Sequence, residues 1–271
     1  MNQHKAGPGV LAVSALLAAG PVAAQERPVG DDLSSGVKDI LHVWSAPAHA
    51  RANDLEGVGA VALLFSATLP LDEPVQQWLA DNPRSLPVRM IGPFRESNPL
   101  NLAGRTVALL PTSVAMYLAG LAFDSAVLRD AGIGCATSNI ASTLSRTTLN
   151  RLVGRVRPGS DRGAFAFEPF TFDDWEVRSF PGGHASNIMS CVSYWNHRFE
   201  MGAVEPVLYG FAGAIGTART VDGAHWLSDT VMGLAFGYAV GKAVAARLNG
   251  RADDDAAPGP TAATLTWTIR F

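Results

Sequence analysis

The chain has 271 residues, enough for one large domain with a sizeable core or at most two small ones. With 48% hydrophobic residues and a mean hydropathy of +0.14, it is more apolar than a typical soluble enzyme. It is still too polar for a mass made mostly of transmembrane helices. A net charge of −3 excludes the global basic field of a nucleic-acid binder.

Residues 1–24 read as a signal peptide. His4 and Lys5 make a weakly basic start, Val10 to Ala19 is apolar, and Val22-Ala23-Ala24 presents small residues to a signal peptidase. The apolar run is too short for a membrane anchor. Cleavage after Ala24 and release into the periplasm or the medium are therefore expected. Cys135 and Cys191 permit one disulfide in such an oxidising compartment, but spacing alone does not show that they meet. Two buried free thiols are the expectation.

Residues 25–101 form an N-terminal extension expected to lie against the main body. A short helix is read near Val37 to Trp44, then a buried helix over Gly57 to Leu69 closed by Pro70. Asp72 to Asn82 has helical spacing, with Val75, Trp78 and Leu79 on one side. From Asn82 to Asn101, Pro83, Pro87, Pro93 and Pro99 predict loop.

Residues 102–248 carry the helical core. One long pattern runs from Leu102 to about Arg129, crossing Pro111, and another covers Ser138 to Val153. Pro158 to Asp174 reads as loop, with Phe165, Phe167, Phe170 and Phe172 in it. Helix resumes over His184 to Glu200, Pro206 to Ala218 and His225 to Leu248. No strands alternate with these helices, so the fold class is all-α. Val107 to Phe123 falls just short of a membrane span, while Tyr209 to Thr217 and Met232 to Val244 are rich in Gly and Ala, which suits close helix packing. A soluble or peripherally membrane-bound bundle is expected. Residues 249–271 read as a polar linker and a short strand-like tail, with Leu265, Trp267, Ile269 and Phe271 on one face.

Three clusters can carry chemistry. The first is Asn150-Arg151-Leu152-Val153-Gly154-Arg155-Val156-Arg157-Pro158, at a helix end. The second is Phe180-Pro181-Gly182-Gly183-His184, a glycine turn feeding a helix. Its backbone N–H groups could face an anion, and His184 could protonate a leaving alkoxide. In the third, His225 and Asp229 stand four residues apart, so on a helix they would share a face. A carboxylate there could accept the imidazole Nδ1 proton and leave Nε2 free as a nucleophile. Gly223 breaks the preceding helix, so Arg219 could fold over the site from a loop. Taken singly, each cluster also has an ordinary structural explanation: a helix end, a capped turn, a surface ion pair.

Taken together, their order and spacing resemble the type 2 phosphatidic acid phosphatase superfamily, which also holds bacterial acid phosphatases and vanadium haloperoxidases. Its motifs read Lys, six residues, Arg-Pro; then Pro-Ser-Gly-His; then Ser-Arg, five residues, His, three residues, Asp. Here they become Asn150 to Arg157-Pro158, then Pro181-Gly182-Gly183-His184, then Ala218-Arg219 to His225 and Asp229.

The resemblance implies a helical bundle and a metal-independent phosphatase needing no cofactor. It implies His225 as nucleophile, Asp229 as its orienting carboxylate and His184 as the acid and then the base. Arg157, Arg219, Gly182, Gly183 and Asn150 would surround the substrate phosphate. A phosphate ester, soluble or on a membrane lipid, is the implied partner; no nucleic acid is. Three departures stand out: Asn150 replaces a lysine, Gly182 and Ala218 each replace a serine. A non-catalytic phosphate-binding relative and a vanadate-dependent haloperoxidase are the alternatives, the second weakened by the missing lysine. Asn150→Lys is expected to raise activity, and deletion of residues 261–271 to leave it unchanged.

Overall fold

The computed structural model describes residues 28–50, 55–160 and 162–256. The signal peptide expected over 1–24 and the expected strand-like tail lie outside them. Nine α-helices follow in chain order among the described residues. They are α1 (Val29–Ser45), α2 (Leu55–Thr68), α3 (Asp72–Asp81), α4 (Leu86–Ile91) and α5 (Thr106–Ala122). Then come α6 (Ala126–Val153), α7 (Gly183–Phe199), α8 (Glu205–Val221) and α9 (Leu227–Ala256). Among the described residues there is no strand, only an isolated antiparallel bridge between Arg155 and Phe167. The all-α expectation holds.

The axis of the bundle is α7, buried without interruption from Ala185 to Asn196. Five of those positions, Ser186, Asn187, Ser190, Ser193 and Asn196, are serine or asparagine. Four of them hydrogen-bond onward, for instance Ser190 Oγ to the Asn187 carbonyl and Ser193 Oγ to that of Tyr238. Small side chains let α9 come close. A Cβ on Gly233, Gly237 or Gly241 would collide with the carbonyl oxygens of Gly182, Ser186 and Ser190 in turn. That glycine seam lays α9 along α7 and sets its first turn against the Gly182 turn.

Several expectations are corrected. The pattern read from Leu102 to Arg129 is broken at Phe123–Ser125, where Asp124 has a φ of 53° and Ser125 caps α6 by accepting from the Leu128 N–H. Beyond it α6 runs unbroken through Gly132 and Gly134, because contact with Tyr117 and Tyr194 outweighs glycine's poor propensity. The proline-rich stretch from Asn82 contains α4, with Pro87 in the tolerated first turn. At the other end, α9 extends over Asn249–Ala256, read from sequence as linker.

Cys135 of α6 and Cys191 of α7 form a disulfide, their Cα atoms 4.5 Å apart. The free-thiol expectation fails because these two helices pack side by side in the core.

By length and composition alone, the segments Glu56–Asp81 and Leu227–Gly250 could each cross a bilayer; Thr106–Ala122 is shorter. The second is a core helix. The first is not the buried helix expected: Val58, Val61, Leu63 and Leu64 are exposed. Only one side of α2 is covered, where Phe65 meets the ring of Phe180 at 5.1 Å.

Candidate active site

Three helix ends converge. Gly154, with a φ of 58°, stops α6 in a left-handed turn, and the chain beyond it is extended. Two residues apart along this segment, Arg155 and Arg157 meet different partners. Arg155 is fully buried. Its Nη1 donates to Asp229 Oδ1 and Ser228 Oγ, both at 2.7 Å, and its Nη2 to Asp72 Oδ2 at 2.6 Å. Arg157 donates to the carbonyls of Ala224, Arg178 and Trp175, with its guanidinium 4.3 Å from the Trp175 ring centre.

The second end is the start of α7. A cis peptide joins Phe180 to Pro181. The Gly182 N–H does not face an anion as expected; it donates to the Asp229 carbonyl at 2.8 Å. The amides of Gly183, His184 and Ala185 follow in the first turn of α7, where N–H groups have no intrahelical partner. Free N–H groups at a helix start are able to bind an anion. His184 lies against Gly104, and its Nε2 is buried with no hydrogen-bond partner among the described residues.

The third end joins α8 to α9. Arg219 stands in the last turn of α8, not in a loop, with Nη1 2.9 Å from Glu96 Oε2 and 3.6 Å from Asp222 Oδ2. His225 precedes α9, which begins at Leu227. The four-residue spacing to Asp229 therefore does not put the pair on one helix face. His225 Nδ1 lies 2.8 Å from the Ser179 carbonyl, which accepts its proton. Asp229 stands one step behind: its Oδ2 accepts from the Ser179 hydroxyl and, at 3.1 Å, from the Trp226 N–H. The second bond is the return arm of a capping box at the start of α9. Asp229 thus fixes Ser179, and Ser179 fixes the imidazole.

Asn150 is also placed differently from expectation. Its amide Nδ2 donates to the Phe180 carbonyl, and its Oδ1 accepts from Arg146 Nη1 at 2.8 Å. Both heavy atoms of the amide are engaged inside the protein. Arg151, the neighbouring cation, lies over the Phe172 ring at 5.8 Å.

The site is electropositive. Burial, and then Arg219, bring Arg157 down to about 10. Burial, then Arg219 and Arg105, bring His184 down to about 3. Burial, then Arg157 and Arg219, hold His225 well below the usual imidazole range. Both imidazoles are therefore neutral near pH 7. With its Nδ1–H committed to Ser179, His225 keeps its lone pair on Nε2. The Arg219 bond holds Glu96 below the usual carboxylate range.

Sequence reasoning missed Asp72, Glu96, Arg146 and Ser179, and assigned no role to Arg155. Asp72 bonds both the N–H and the hydroxyl of Ser228, 156 positions away, a separation that no local motif can signal.

Residues 131–252 match the model of the PAP2 superfamily. It is 31% identical over 106 residues to the lipid A 1-phosphatase of Rhizobium etli, covering 37% of this chain and 43% of that protein. The lipid A 1-phosphatase of Rhizobium johnstonii is 31% identical over 103 residues, covering 36% and 40%. The matched region thus spans less than half the length of these curated relatives. Among solved structures, the transmembrane PAP2-type phosphatidylglycerolphosphate phosphatase from Bacillus subtilis is similar at 18% identity and a TM-score of 0.41, over 82% of this chain and 96% of that one.

Proposed function

We propose that the protein is a phosphatase that hydrolyses the phosphomonoester of a lipid through a phosphohistidine on His225. One observation carries this reading. A neutral imidazole, pinned through Nδ1 to the Ser179 carbonyl, keeps the lone pair of Nε2 within the field of Arg157 and Arg219. Nε2 attacks phosphorus while the bond to the ester oxygen breaks, and the electron pair leaves with that oxygen. His184 gives it a proton. In the second step His184 takes a proton from water, whose oxygen displaces Nε2 and releases phosphate. The arginines stabilise charge that grows on the phosphoryl oxygens.

His184 must be protonated for the first step, although its own field holds it near 3. A phosphate dianion opposes that field, so substrate binding raises the pKa of the acid. The arginines already neutralise the phosphate, so turnover is expected to survive EDTA.

The lipid class is supported by the rim. Phe165, Phe170, Phe172 and Trp175 are all exposed on the loop that carries the Arg157 partners. On α1, Leu33, Val37, Leu41 and Trp44 make a second exposed apolar stripe at helical spacing. Trp and Phe at a bilayer interface anchor a protein peripherally. The named relatives from Rhizobium act on a lipid phosphate, in keeping with this reading.

The test compares wild type and His225→Ala on p-nitrophenyl phosphate and on a lipid phosphate in mixed micelles. Wild type is expected to prefer the lipid, and His225→Ala to lose several orders of magnitude on both. A folded wild type that binds phosphate and turns over neither ester would show a binding protein instead.

A further inference from the structure

The family motif places a lysine where this chain has Asn150, so the phosphate is one cation short. We propose that Arg146 supplies that cation, binding the phosphoryl oxygens directly, with Asn150 as its positioning residue. The assignment rests on the phosphatase reading above and names a ligand for the same site.

Geometry supports it first. Arg146 and Asn150 are one turn apart on α6, on the same face. A Cβ placed on Gly183 would lie 3.3 Å from Arg146 Cζ, 3.4 Å from Nη1 and 3.5 Å from Nε. The guanidinium therefore lies against the first residue of α7, next to His184 and the free amides of that turn. Any side chain at position 183 would press on it.

Pairing supports it second. Arg155, Arg198, Arg219 and Arg129 each meet a carboxylate. Among the described residues no carboxylate pairs with Arg146. Its Nη1 has only the Asn150 carbonyl oxygen, and its Nε is buried without a partner. A desolvated cation left unpaired is costly unless an anion arrives to pair with it. Arg146 also lies close enough to Arg157 and His184 for its charge to act on both. It belongs to the same electropositive cluster.

The substitution at 150 then has a physical reason. A lysine there would set two cations side by side and would lose the amide bond to the Phe180 carbonyl. Asparagine offers an acceptor to Arg146 on one side and a donor to the turn on the other. Arg151 takes no part, since its guanidinium is held over Phe172 at 5.8 Å.

The experiment measures orthovanadate binding by calorimetry, and turnover of p-nitrophenyl phosphate, in full-length protein. The variants are Arg146→Gln, Arg146→Lys, Arg151→Gln and the double Arg146→Gln/Asn150→Lys. Loss of one charged ligand predicts roughly a hundredfold weaker vanadate binding and roughly a hundredfold lower kcat/KM in Arg146→Gln. Arg151→Gln should stay within about twofold, and the double variant should regain about tenfold over Arg146→Gln. Arg146→Lys keeps the charge but loses the fork, so about a tenfold loss is expected there. It decides the matter if Arg146→Gln fails to melt cooperatively. Vanadate affinity at the wild-type level in folded Arg146→Gln, or in Arg146→Lys, overturns the assignment. Wild type that binds vanadate without hydrolysing any ester overturns the phosphatase reading instead; loss of that binding in Arg146→Gln would still support Arg146 as the anion ligand.

Discussion

At the scale of single residues, the candidate site is held in place by committed hydrogen bonds. The imidazole of His225 is oriented by a backbone carbonyl, and the carboxylate of Asp229 acts on it only through Ser179. Ser179→Ala should therefore impair turnover less than His225→Ala, because the carbonyl remains while its support is lost. The protonation of the two histidines has a consequence for stability. An unfolded imidazole takes its proton near 6.5, whereas folded His184 takes one only near 3 and folded His225 well below 6.5. Between those values the unfolded chain binds more protons than the folded one, so stability is full above about 6.5 and falls as pH drops. Urea midpoints measured from pH 7.5 to pH 4.5 should decline steadily. For His184→Asn and His225→Asn the decline should be shallower, and an equal slope in both variants would refute the assignment.

At the scale of elements, the N-terminal extension is tied to the candidate site by α3. Asp72, in its first turn, is fully buried and accepts from Arg155 Nη2 and from the N–H and hydroxyl of Ser228. Gln76 adds Nε2 bonds to the carbonyls of Thr220 and His225, at 3.0 and 3.3 Å. The extension thus holds the third motif from behind. Removing one partner of a buried ion pair costs about 3–5 kcal/mol, because the other charge is left without compensation. Asp72→Ala should lower the denaturant midpoint accordingly and reduce turnover, with KM little changed. A variant as stable as wild type would show that Asp229 alone suffices for Arg155. The seam of Gly233, Gly237 and Gly241 is the second device at this scale, since it places Asp229 and the Gly182 turn in contact.

Across the whole molecule, the Cys135–Cys191 disulfide joins two central helices over 56 positions. Loop-closure entropy for a ring of that size is worth roughly 4 kcal/mol. Reduction, or the double change Cys135→Ala/Cys191→Ala, should therefore lower Tm by on the order of 10 °C. Activity at 25 °C should survive, because the disulfide lies in the hydrophobic core and not among the three converging helix ends. An unchanged Tm would mean that the bridge contributes nothing beyond helix packing.

Local features were the legible ones. Pro181-Gly182-Gly183-His184 is a turn feeding a helix in the sequence and in the structure, and the order of the three clusters carried the family resemblance before any coordinates. The helices at Asp72, His184 and Pro206 were readable from periodicity, since an amphipathic or buried face repeats within one element. What could not be read is who meets whom. Two residues of spacing separated a shared helix face for His225 and Asp229 from the observed relay, because α9 begins only at Leu227. Whether Cys135 and Cys191 bond, whether α2 is covered, and whether Asn150 touches phosphate or the Phe180 carbonyl all depend on helices far apart in the chain. Side-chain type and local spacing determine the possible chemistry of a residue; its partners are chosen by packing across the bundle, and that choice belongs to the tertiary structure alone.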